Sequence, residues 1–124
     1  MLAMAIFSID QFTQWLEEAV ERIPPRYLRE LTGGFNVQEE CRQEGDYYIL
    51  GEYIEDGQLG CFIVFYYGSF VNLLEDEPEQ VWIEEIIETV FHEMQHHLES
   101  MAGRDDLARQ ELEELGRILG QQKG

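Results

Sequence analysis

His92-Glu93-Met94-Gln95-His96-His97 holds all three histidines of this 124-residue chain, and its first five residues read HExxH. On an α-helix, residues four apart lie one above the other, so the imidazoles of His92 and His96 can converge on one ion. Glu93 is offset by ~100° around the same helix, which keeps it off the metal but within reach of a water bound there. A metal site and a base are therefore expected together, with one Zn²⁺ as the expected ion. The bland alternative is a solvated polar face on a glutamate-rich helix, with the spacing arising by chance.

The motif needs a helix, and the residues around it supply one. Pro78 opens a helical pattern that runs to about Met101. Ile83, Ile86, Ile87, Val90, Phe91, Met94, Leu98 and Met101 form one apolar arc. His92 and His96 lie nearly opposite it, with Glu85, Thr89 and Glu99. Downstream, Gly103 permits a break, and Asp105 or Asp106 can cap a final helix reaching about Leu119.

Upstream, Phe35 to Phe70 changes to aromatic and β-branched residues broken by Gly and Asp, which favours three or four strands. The candidates are Asn36 to Cys41, Tyr47 to Ile54 and Gly60 to Tyr67, with Glu55-Asp56-Gly57 as a hairpin turn. The run CFIVFYY is expected to be the strand most buried on both faces. At the N-terminus, Ser8 and Gln11 have capping-box spacing, and Phe12, Trp15, Leu16, Ala19, Val20 and Ile23 repeat helically until Pro24-Pro25. Arg26 to Leu31 can add a short turn, which Gly33-Gly34 redirects. The expectation is an α+β fold over residues 1–124 as one domain: a small mixed sheet with an N-terminal helix, an HExxH helix and a C-terminal helix.

Twenty-six acidic against eight basic residues give a formal net charge of -18. Such a surface repels phosphate backbones and anionic membranes, so neither nucleic acid nor membrane is an expected partner. Neutral or basic peptides and proteins are easier to accommodate. MLAMAIFSID lacks a basic leader region and runs into a helix signal, so it does not read as a signal peptide and a cytoplasmic location is expected. Cys41 and Cys61 are expected to be reduced, partly buried strand residues.

A hydrolytic zinc site requires a third protein ligand and an open fourth position. Glu111 is the first candidate, because it interrupts the apolar stripe of the final helix between Leu107 and Leu115, where a lone carboxylate is costly unless compensated. Asp106 and Asp105 are the alternatives. Glu99 shares the histidine face, but three ligands on one helix would strain tetrahedral convergence. His97, beside the apolar arc, is expected to pack or hydrogen-bond rather than ligate. Tyr53, Tyr66 and Tyr67 are candidates to steady an oxyanion, with packing the expected role for each. Glu at 99 and Ala at 102 rule out the longer HExxHxxGxxH pattern. No glycine-rich phosphate loop is present, and neither cysteine has an activating context.

Several segments resemble the small bacterial zincin-like metallopeptidases often called minimal zincins. They are the Trp15/Leu16 helix ending in IPPRYL, LGEY from Leu50 to Tyr53, YYGSF from Tyr66 to Phe70, TVFHEMQHHLE from Thr89 to Glu99, and the tail AGRDDLARQELEEL. The resemblance implies a small sheet whose edge strand borders a metal cleft, with the HExxH helix beneath it. It implies a zinc peptidase with His92 and His96 as ligands and Glu93 as base. Many family members have glycine at the position of Glu99, and the similar branch tends to have aspartate at that of Glu111. The expected function is zinc-dependent peptide hydrolysis. The alternative is a non-catalytic metal-binding or protein-interaction module on the same scaffold.

Overall fold

The computed structural model describes residues 6–102 and 108–120. Helix α1 spans Ile9–Glu21, and the Ser8 hydroxyl accepts from the Gln11 N–H at 3.1 Å, the N-cap bond expected from the sequence. Pro24 and Pro25 stop it, since proline has no N–H to continue the ladder, and Pro25–Leu28 form a single 3₁₀ turn.

Five strands follow: β1 (Gly34–Gln38), β2 (Arg42–Glu44), β3 (Tyr47–Ile49), β4 (Gly51–Asp56) and β5 (Gly60–Tyr66). They form a mixed three-stranded sheet in the order β1-β5-β4 and a separate β2-β3 hairpin. β5 is central, parallel to β1 and antiparallel to β4, and its residues Ile63 to Tyr66 are buried in an unbroken run. That burial is what the continuous apolar pattern of CFIVFYY implies.

The first strand, expected at Asn36 to Cys41, is Gly34–Gln38, and Arg42–Glu44 forms an unexpected strand. Three further boundaries differ from expectation. The stretch Tyr47 to Ile54 is two strands, because the chain changes partner at Leu50, from β2 on one side to β5 on the other. The hairpin turn is Gly57 to Leu59, two residues beyond the expected turn, with the Asp56 carboxylate accepting from the N–H groups of Gln58 and Leu59 at 2.7 and 2.8 Å. The third difference is an unexpected helix, α2 (Tyr67–Leu74), in place of extended chain as far as Phe70. Tyr67, Phe70, Val71 and Leu74 do repeat at helical spacing, but the aromatic character of the segment masks it. Tertiary contacts decide the matter. A Cβ on Gly68 would lie 2.7 Å from main-chain atoms of Glu39 and Cys41, so only glycine lets the helix start here. The Ser69 hydroxyl accepts from the Arg42 N–H and donates to its carbonyl.

Helix α3 (Glu79–Ala102) carries the HExxH segment, and α4 (Ala108–Leu119) packs along it. Trp82, Ile86, Val90, Met94 and Leu98, each four residues from the next, form the buried stripe of α3 against α1, α2 and the sheet. Trp82 lies outside the expected arc; it is fully buried, and its indole N–H donates to the Leu74 carbonyl at 3.1 Å. Leu115 and Leu119 of α4 close the core. Cys61 lies half-buried in β5, as expected, whereas Cys41 is exposed between strands; both thiols are free. Among the described residues no helix is long and apolar enough to cross a membrane.

One polar tie fastens α4 to the turn after α1: Arg26 and the Tyr27 hydroxyl both donate to the Glu114 carboxylate. The Tyr27 and Arg26 bonds hold the Glu114 carboxyl below its ordinary range. A carboxyl with a depressed folded pKa stabilises the fold above its unfolded pKa of ~4.3, and the contribution fades as pH falls through the folded value. Chemical denaturation as a function of pH should therefore show wild type more stable than Glu114→Gln at neutral pH, with the two curves converging in acid. A difference independent of pH would assign the tie no ionic component.

Candidate metal centre

The centre is built on one turn of α3 and roofed by the edge of β4. His92 and His96 are exposed on the helix face away from the core stripe. Their ring centroids are 4.9 Å apart and their planes stand at 87°. Zn–N bonds of ~2.0–2.1 Å place each ring centre ~3.2 Å from an ion, and a tetrahedral angle then separates the two centres by roughly 5 Å. The observed spacing meets that requirement. Among the described residues neither imidazole is pinned by a protein hydrogen bond, and both line a cavity of about 360 Å³ with Gly51, Glu52, Tyr53 and Glu93. The two imidazoles are donors of the type zinc takes and open space lies beside them, but among the described residues no third ligand is gathered with them.

Glu93 differs from its neighbours in being 5 % exposed. β4 covers it, because Gly51 brings the strand's main chain down onto α3. A Cβ on Gly51 would lie 3.0 Å from Thr89 Cγ2, 3.2 Å from the Val64 carbonyl oxygen and 3.3 Å from Glu93 Cγ. Thr89, placed with the histidines opposite the apolar arc, is buried there because β4 covers it. Burial lifts the Glu93 carboxyl above the usual carboxylate range. His92 and His96 draw it down, the Glu52 charge pushes it up, and the Tyr53 main-chain N–H draws it down. A carboxylate in this setting is a stronger proton acceptor than one in water.

Gly51→Ala is a direct probe of this packing. The added methyl has no free space, so overpacking should cost about 1–3 kcal/mol and displace Glu93 or lift β4. Equilibrium urea unfolding measures the cost, and an unchanged midpoint would mean that β4 yields freely.

A second cavity of about 430 Å³ adjoins the first and shares Gly51, His92 and Glu93 with it. Tyr48 to Leu50 wall it on one side, and Glu85 and Glu88 of α3 on the other. The two together make a cleft along α3 beneath β3 and β4. Glu52 is a cleft residue that sequence reasoning missed, although it lies within the LGEY segment. Its carboxylate accepts from the Tyr66 hydroxyl at 2.6 Å, with the Arg42 guanidinium 3.8 Å away. The available signal is Gly51 itself, since a glycine inside a strand marks a close approach.

The three tyrosine hydroxyls are engaged elsewhere: Tyr66 with Glu52, Tyr67 with the Phe7 carbonyl, and Tyr53 with His97. His97 is fully buried and hydrogen-bonded at both ring nitrogens. Glu111 lies half-buried on α4. Among the described residues no group of three His, Cys, Asp or Glu side chains is gathered closely enough to hold an ion, so Glu111 does not join His92 and His96 in this structure. Asp105 and Asp106 lie outside the described residues.

Residues 19–118 match the profile of the family described as zincin-like metallopeptidase. The chain belongs to that family. A solved structure, a conserved hypothetical protein from Thermo thermophilus, is similar to this zincin-like chain at 34% identity, with a TM-score of 0.71 over 79% of this chain and 100% of the other. No curated protein matches the chain. The α+β zincin-like architecture is thus supported by sequence and by fold.

Proposed function

We propose that this zincin-like protein is a zinc-dependent peptidase acting on extended peptide segments. The observation that carries the reading is the placement of His92, His96 and the covered carboxylate of Glu93 around one cavity, directly beside the unpaired edge of β4. His92 and His96 would hold the ion; an acidic third ligand, for which the sequence offers Glu111 first, would have to move toward them, since none stands beside them among the described residues. When bound, zinc supplies a water of pKa around 7 and polarises the scissile carbonyl.

The chain's own residues do the rest. Glu93 takes a proton from the attacking water and returns it to the leaving amine, a transfer its buried setting favours. β4 orients the substrate. In the β4–β5 register, Tyr66 N–H bonds to the Leu50 carbonyl, so the alternation of an antiparallel ladder turns the main-chain groups of Gly51, Tyr53 and Glu55 outward, with the Tyr53 N–H engaged by Glu93 and the others facing open space for a peptide. An extended peptide can add to such an edge. Every carboxylate lining the cleft (Glu52, Glu85, Glu88 and Glu93) disfavours anionic peptides, so neutral or basic segments are the expected substrates.

The test is metal analysis of protein purified without chelator, followed by digestion of a peptide library. Zinc at one equivalent with cleavage suppressed by a chelator supports the peptidase. Zinc retention without cleavage of any peptide would favour a metal-binding module on the same scaffold.

A further inference from the structure

His97 is buried beside the centre yet takes no part in the proposed hydrolysis. Its two nitrogens have different jobs. Nε2 lies 2.9 Å from the Arg29 carbonyl oxygen, which only accepts, so Nε2 carries the proton. Nδ1 and the Tyr53 hydroxyl share a hydrogen bond at 3.0 Å. A longer approach of that hydroxyl to Glu55 Oε2, at 3.3 Å, competes for the same proton, but Ser100 also donates to Glu55. The imidazole is therefore held at both nitrogens by two partners on different segments. One is the main chain following the 3₁₀ turn, and the other is β4.

Tyr53 belongs to the strand that roofs the centre. Its ring sits against His97 with centroids 5.4 Å apart, and it lines the cavity shared by His92, Glu93 and His96. Two residues back, Gly51 rests on Thr89 and Glu93 with no slack. The height of β4 above α3 thus sets the space that the Glu93 side chain occupies. Dispersion and hydrophobic contact alone allow an edge strand to slide or lift, whereas a buried hydrogen bond fixes distance and direction.

We infer that His97 is a positioning residue: through the Tyr53 hydroxyl it pins the edge strand β4 onto α3, and so keeps the Glu93 carboxylate beside His92 and His96. The Tyr53 main-chain N–H, which faces that carboxylate, completes the link. The effect on turnover rests on the peptidase reading above; the effect on the strand does not.

The experiment compares full-length wild type, Tyr53→Phe, His97→Asn and His97→Leu by amide hydrogen exchange. Tyr53→Phe removes one oxygen and keeps the ring. The amide of residue 53 should exchange at least tenfold faster, while those of Glu52 and Val64, in the β4–β5 ladder, change less than twofold. His97→Asn, which keeps an acceptor near the Nδ1 position, should restore most of the protection that His97→Leu loses. If Tyr53→Phe leaves the residue-53 amide unchanged, or if all strand amides speed up equally, the pin is refuted. His97→Leu failing to fold leaves the Tyr53→Phe comparison decisive. Where wild type cleaves peptides, Tyr53→Phe should lower kcat about tenfold or more with KM within twofold. A pin seen by exchange in a protein that cleaves nothing would overturn the peptidase reading alone.

Discussion

Glu93→Gln is expected to reduce peptide cleavage by about 10²–10⁴-fold, the usual contribution of a positioned general base, while zinc content stays at the wild-type level. Glutamine matches glutamate in shape, so β4 should keep its place over Thr89, and the space against Gly51 remains filled. It cannot accept a proton from water. Burial works in the same direction on stability. The wild-type carboxylate is costly to hold charged in its covered position, so the neutral amide should leave the unfolding midpoint unchanged or higher. Steady-state hydrolysis, metal analysis and thermal unfolding of one preparation test all three statements. Full activity in this variant would remove Glu93 from the chemistry, and loss of zinc would mean that Glu93 is itself a ligand.

Zinc should stabilise the folded chain through the two exposed imidazoles, and His92→Ala should abolish most of that effect. An ion that binds only the native state adds RT ln(1 + [L]/Kd), about 4 kcal/mol at a free concentration 1,000 times Kd. The unfolded chain still has both histidines, four residues apart, so weak binding there trims the gain. Without ion, His92→Ala itself should be close to neutral. The ring is exposed and makes no hydrogen bond among the described residues, so little beyond its edge contact with the His96 ring is lost. That contrast separates a site from a structural histidine: His97→Ala is expected to destabilise strongly with or without zinc, since it empties a fully buried site and removes two hydrogen bonds. Denaturant titrations with and without zinc measure both. A zinc-dependent shift of wild-type size in His92→Ala would place the ion elsewhere.

Two histidines at helical spacing, a glutamate between them and an apolar stripe on the far side are local properties, and the chain order alone is sufficient to read them. The same holds for the N-cap at Ser8, the double proline after α1, and the central place of β5, whose unbroken apolar run has no polar face to show to water. Trp82 is legible by its four-residue spacing to Ile86, yet the arc drawn from sequence omits it. What the local pattern leaves open is anything set by a partner distant in the chain. Glu93 and Thr89 look solvated on a helical wheel and are buried because Gly51, far earlier in the chain, lets a strand lie on them. The end of β5 becomes α2 because Gly68 and Ser69 meet the main chain of residues 39–42. His97 is held in place by a carbonyl 68 positions away and a phenol 44 positions away. Spacing along one helix fixes which side chains share a face; only the packing of other segments onto that face decides which of them meet water and which carry their charge in a covered site.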